Sequence, residues 1–102
     1  MRIAAKLERA AAQDQRRFAR HSVSFSAGLG APDRPSSPVT VVDLSTHGCG
    51  IEIASHLDAG ARVWIALPGL EPWASRVMWV QNGRAGIGFD RPLHQGVVDR
   101  YR

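Results

Sequence analysis

The sequence predicts an all-β domain, a small six-stranded antiparallel barrel with short terminal helical segments. Three observations carry that expectation: short runs of alternating apolar and polar residues, hairpin-length connections between the runs, and no amphipathic helix interposed between them. Alternation leaves one face of a sheet wet, and closure into a barrel removes the edges that such a sheet would otherwise expose. A chain of 102 residues has room for one domain with a modest core.

Residues 1–15 are expected to form a helical or flexible N-terminal extension, with Ile3, Leu7 and Ala10 on one thin face. Residues 16–92 make the barrel domain. Its first strand places Val23, Phe25 and Ala27 against Ser22, Ser24 and Ser26. Gly28 to Pro38 holds three prolines and two glycines and is expected to be a loop. Val39 to Leu44 is β-branched and forms the second strand; Gly50 to Ala54, with Ile51 and Ile53 on one face, forms the third. Asp58, Ala59 and Gly60 turn the chain into Arg62 to Leu67, where Val63, Ile65 and Leu67 alternate with Arg62, Trp64 and Ala66. Trp73 to Val80 is a longer strand. Asn82-Gly83 then marks a type I′ hairpin, whose two central residues both need positive φ, and Arg84 to Phe89 is the returning strand. Pro92 ends it, and residues 93–102 form a tail or short helix. Val77, Met78, Trp79 and Val80 are apolar on both faces, so the outer surface there is expected to meet a terminal helix or a partner.

Composition narrows the function classes. With 44% hydrophobic and 22% charged residues the chain has an ordinary globular balance, and its formal charge of +4 tilts it toward an anionic partner. General nucleic-acid binding would call for a longer basic stripe than the one dense cluster at Arg16, Arg17 and Arg20. Cys49 is the single cysteine, which rules out an internal disulfide. No apolar run reaches 18 residues, so no membrane insertion is expected, and the N-terminus lacks the pattern of an export signal. Cytoplasmic location follows as the expectation. His21, His47, His56 and His94 lack metal-ligand spacing, so no metal site is predicted. No nucleophile stands beside a base and no carboxylates are paired for acid–base work; the sequence does not predict an enzyme.

Two polar signatures remain. One is Arg16-Arg17-Phe18-Ala19-Arg20, with guanidiniums at i and i+4. The other is the turn Asp43-Leu44-Ser45-Thr46-His47-Gly48, an Asp-x-Ser-x-x-Gly pattern. A guanidinium is a planar donor fork that matches two phosphate oxygens or the O6/N7 edge of guanine, and it stacks on base faces. Asp43 supplies acceptors for the N1 and N2 hydrogens of guanine, which adenine cannot satisfy in the same way. Ser45 can donate and accept within the turn, and Gly48 is expected to take a backbone conformation closed to residues with a Cβ. Asp43 has a plainer reading as a turn cap for the amides of Ser45 or Thr46, and amides from Ser45 to Gly48 could form an anion nest.

These motifs, with Gly50 closing the turn and Ala85-Gly86-Ile87-Gly88-Phe89 as a late strand, resemble the PilZ domain family, bacterial receptor modules for cyclic di-guanosine monophosphate (cyclic di-GMP). The resemblance implies that Arg16 and Arg20, with Arg17 as an extra basic group, hold guanine edges and phosphates. It further implies that Asp43, Ser45 and Gly48 form the rest of the ligand site, with Gly50 as an accessory position; His47, beside the motif, is within reach of a phosphate as a second accessory position but is read first as a solvated turn histidine. On this reading cyclic di-GMP is the ligand, no cofactor is needed, and binding pulls the arginine segment onto the barrel to alter contact with an unidentified protein partner or a second copy. The alternative is a ligand-independent interaction module in a motility, envelope or signalling complex, motivated by the apolar material around Trp64, Trp73 and Met78. Trp64, Trp73 and Trp79 are themselves expected to be packing residues rather than base platforms, at outer-face positions that leave room for a docking surface.

Overall fold

The computed structural model describes residues 18–102. Six strands, β1 (His21–Ala31), β2 (Arg34–Leu44), β3 (Gly48–Glu52), β4 (Arg62–Ala66), β5 (Trp73–Gln81) and β6 (Arg84–Phe89), are followed by one short helix, α1 (Gln95–Asp99). All neighbours pair antiparallel, and the order β1-β2-β3-β6-β5-β4 closes into a barrel. The helical reading of residues 1–15, and the positions of Arg16 and Arg17, lie outside the described residues.

The inward sides of the strands supply the core: Val41, Leu44, Cys49, Ile51, Val63, Ile65, Val77, Ala85 and Ile87 are buried. Each large aliphatic residue removed from water here is worth about 1.5–3 kcal/mol. One end of the barrel is stopped by the C-terminal segment. His94 caps α1 by accepting the Gly96 amide at 2.9 Å, Val98 and Leu93 enter the core, and Tyr101 stacks on Phe25 at 5.2 Å. The tail is therefore a short helix rather than an extended strand.

The hairpin at Asn82-Gly83 forms as the sequence predicts, with φ of 53° and 75° at the two residues. The expected loop over 28–38 does not. β1 and β2 run on through it as a paired hairpin, with Gly28 opposite Pro38 and Ala31 opposite Arg34. Two features reconcile the prolines with a strand. β2 begins to pair with β3 only at Thr40, so the segment bearing Pro35 and Pro38 has one unpaired side, where a missing amide hydrogen removes no ladder bond. Gly28 also leaves room for the Ser36 side chain, whose Oγ would lie 2.6 Å from a Cβ at that position.

Candidate ligand site

Strict alternation along β2 would send Val41 and Asp43 into the core together and expose Leu44. A bulge prevents this. Val41 pairs with Ile51 and Asp43 with Gly50, so Val42 is an extra residue and Asp43 turns outward while Val41 and Leu44 stay buried. The same device operates on β5. Val77 pairs with Ile87 and Trp79 with Gly86, leaving Met78 as the extra residue and bringing Trp79 to the outer surface.

The registers line these positions up. Asp43 is opposite Gly50, Gly50 opposite Gly86, and Gly86 opposite Trp79, making one row across β2, β3, β6 and β5. At ordinary strand spacing the row spans about 14 Å. The two glycines make it possible: a Cβ on Gly50 would sit 2.6 Å from Asp43 Oδ2, and one on Gly86 would sit 2.1 Å from Trp79 Nε1. The carboxylate and the indole thus lie flat on the sheet and lean toward each other from its two sides. The sequence reading makes Trp79 a packing residue at an outer-face position; the structure has it on the outer face, lying over Gly86. What the sequence reading does not supply is its seat, Gly86, one of two glycines alternating with Ala85 and Ile87 in β6.

Asp43 is organised from two directions. Its Oδ1 accepts the Gly50 amide at 2.8 Å and pairs with Arg20 Nη1, so the two polar signatures meet on the barrel surface 23 residues apart in sequence. Both side chains are about a quarter to a third exposed, at 25% for Arg20 and 32% for Asp43, and so remain within reach of a ligand. The turn-cap reading of Asp43 is replaced: the amide it accepts is that of Gly50, not of Ser45 or Thr46. Arg20 Nε is buried and has no hydrogen-bond partner.

Ser45 is buried and holds the turn internally. Its amide donates to the Gly48 carbonyl at 2.9 Å, its Oγ does so at 3.4 Å, and the His47 amide donates back to that Oγ at 3.2 Å. The amides of Ser45 and His47 are therefore spent within the turn rather than offered as a nest. Gly48 is required for a reason other than the one its sequence context suggested. Its φ is not positive; instead a Cβ there would lie 2.2 Å from the Ile87 carbonyl oxygen. His47 is exposed, with its ring stacked on Phe18 at 3.5 Å between centroids.

Behind the site, Cys49 is fully buried. Burial, and secondarily the Asp43 carboxylate, push its thiol up to about 12, with Arg20 working in the opposite direction. Trp73, by contrast, is a packing residue: its Nε1 donates to the Arg91 carbonyl at 2.7 Å and the Arg91 guanidinium lies over its ring. Among the described residues no cluster of three or more His, Cys, Asp or Glu side chains is placed to hold a metal ion, and no helix is long and apolar enough to cross a membrane.

Residues 14–100 match the model of the PilZ domain family. The chain belongs to that family. PilZ domains are non-catalytic receptor and adaptor modules associated with cyclic di-GMP. Among solved structures, the crystal structure of the PilZ domain of CeSA from a cellulose-synthesizing bacterium is similar, with a TM-score of 0.61 at 18% identity, covering 80% of this chain and 93% of that one. That likeness is one of fold. No curated protein is similar enough in sequence to match.

Proposed function

We propose that this PilZ domain is a specific receptor for cyclic di-GMP and transmits binding to a protein partner. The observation that carries the proposal is the pairing of Arg20 with an Asp43 that Gly50 already orients. Two motifs remote in sequence converge on one outward-facing spot, with complementary donors and acceptors. Asp43 receives the N1 and N2 hydrogens of guanine, and Arg16, Arg17 and Arg20 take phosphates, the O6/N7 edge or a base face. Ser45 and Gly48 hold the turn in shape, and Gly50 keeps space for the carboxylate. Trp79 adds a ring on which a purine stacks, a contact worth about 1–3 kcal/mol. The ligand draws the arginine segment onto the barrel, with Arg20 already on Asp43, and so alters the surface offered to the partner.

Calorimetry with purified protein and cyclic di-GMP is the direct test. Saturable heat, retained in the presence of excess single-stranded DNA across a salt series, is the expected result. Absence of heat and of competition at high-micromolar ligand, from protein that still unfolds cooperatively, would overturn the proposal. Arg20→Ala is expected to weaken binding at least about tenfold, since it strips a charged donor from phosphate or guanine. Unchanged affinity would mean that the arginine register is wrong.

A second reading, a ligand-independent interaction module, draws on one observation: Met78 on the β5 bulge is 61% exposed. A pulldown separates the two readings. Equal capture of a partner by wild type and by a combined Arg16, Arg20 and Asp43 variant favours the module.

A further inference from the structure

Two contacts join the same two segments of chain. Arg20 binds Asp43, and two residues earlier Phe18 stacks on His47, four residues after Asp43. The rings are 3.5 Å apart between centroids and 18° from parallel. His47 is not a loose surface ring onto which Phe18 happens to fall. Its Nδ1 lies 2.8 Å from Thr46 Oγ1, its amide is bonded to Ser45 Oγ at 3.2 Å, and its carbonyl accepts the Phe89 amide at 2.9 Å. The imidazole is thus fixed in place by the turn and by the end of β6.

We propose, building on the receptor reading above, that the Phe18–His47 stack is an aromatic clasp that positions Arg20 for the cyclic dinucleotide. The sequence favours a solvated turn histidine at position 47, with phosphate contact as its accessory role; the geometry points to a positioning residue acting through Phe18 instead. The physical reason lies in Arg20 itself. Its guanidinium is held to Asp43 through Nη1, while its Nε is buried without a hydrogen-bond partner. A long side chain anchored at one nitrogen gives up rotamer freedom to stay in place. Fixing the backbone two residues away reduces what the ligand must order, and preorganisation of that kind appears as affinity. An aromatic pair of this type corresponds to a change of about two- to tenfold in a binding constant.

The two roles of His47 separate in a substitution series read by calorimetry with cyclic di-GMP. His47→Ala and Phe18→Ala are each expected to weaken binding about two- to tenfold. His47→Phe, which keeps a ring and discards both nitrogens, is expected to restore wild-type affinity, whereas His47→Gln, which keeps polar reach without a ring, is not. The double variant Phe18→Ala/His47→Ala should bind no worse than either single one, because the pair acts as a unit. Rescue by Gln but not by Phe would overturn the clasp and return His47 to direct phosphate contact, and additive losses would overturn it as well. A ligand-independent measurement keeps the inference testable should wild type fail to bind, an outcome that would count against the receptor reading alone. In the free protein, Phe18→Ala is expected to speed hydrogen exchange at Arg20 Nε, followed by NMR, while the unfolding midpoint stays in place. An unchanged exchange rate would show that Arg20 does not depend on the stack.

Discussion

At the residue scale, the glycines around Asp43 are there for different neighbours, and the difference can be measured. The atom that a Cβ on Gly48 would strike is the backbone carbonyl oxygen of Ile87, 2.2 Å away, which the β3–β6 ladder holds in place. Gly48→Ala should therefore cost stability, about 1–3 kcal/mol by the usual penalty for overpacking, visible as a lower urea midpoint. On Gly50 the same Cβ meets the end of the Asp43 side chain at 2.6 Å, and that carboxylate can swing away. In doing so it leaves the Gly50 amide and Arg20, so Gly50→Ala should weaken cyclic di-GMP binding at least about tenfold while moving the midpoint less than Gly48→Ala does. Equal effects of the two substitutions on both measurements would contradict this division. Cys49, between them in β3, makes a prediction in pH. Its folded thiol is pushed up to about 12, mainly by burial, from an ordinary value of 9.0. Above about pH 9 the unfolded chain loses the thiol proton and the folded chain keeps it, so the native state binds more protons and its stability falls as pH rises. The decline runs from about pH 9 to about pH 12, and below pH 9 the full contribution is present. Cys49→Ala should remove that part of the alkaline slope in denaturant unfolding followed across the range; an unaltered slope would place its origin elsewhere.

Among the elements, the bulges at Val42 and Met78 set what faces outward, and Trp79 tests the consequence. Because Trp79 lies over Gly86 on the outer face, Trp79→Ala removes no core packing, and global stability should change little. If the indole stacks a base, affinity for cyclic di-GMP should fall about tenfold, within the range measured for such contacts. Full affinity in the variant would confine the site to the Asp43 side of the row. These bulges also explain which parts of the molecule could be seen from the sequence. Strands with plain alternation, such as Val63 and Ile65 against Arg62 and Trp64, were legible because burial follows parity there. The Asn82-Gly83 turn was legible because its chemistry is local. Asp43 was singled out through its motif, although parity along β2 would have buried it, and the neighbour of Trp79 was not legible because an extra residue in β5 shifts the register against β6 without leaving a mark in composition. The Gly28–Pro38 stretch misled for a related reason. Its prolines are tolerated in a strand because the overhanging part of β2 pairs on one side, and its glycines keep φ negative and extend rather than turn the chain. The Phe18–His47 contact depends on tertiary approach and has no sequence signature at all.

On the scale of the whole molecule, the site turn and the C-terminal segment are parts of one structure. The Leu93 amide donates to the Thr46 carbonyl at 2.7 Å and the Phe89 amide to the His47 carbonyl at 2.9 Å, so the chain leaving β6 is stitched to the turn that carries Ser45. From there Leu93 and Val98 enter the core, and Tyr101 reaches Phe25 on β1 and the Pro68 carbonyl after β4. The segment thus spans strands that are far apart in the barrel order and closes the end over which they converge. Burying Leu93, Val98 and most of Tyr101 is worth roughly 5–8 kcal/mol at about 1.5–3 kcal/mol per side chain. That is comparable with the entire stability of a typical small domain, about 5–15 kcal/mol. A chain ending at Pro92 should therefore lose its cooperative urea transition at 25 °C, and with it cyclic di-GMP binding, because the Ser45–His47 turn loses the Leu93 tether as the core opens. Val98→Ala grades the same effect: about 2 kcal/mol off the unfolding free energy, with affinity of the remaining folded protein within about twofold of wild type because both tethers to the turn remain. If the chain ending at Pro92 kept a cooperative transition near the wild-type midpoint, α1 would be an appendage on a self-sufficient barrel, and the ligand turn would owe its shape to Ser45 and Gly48 alone.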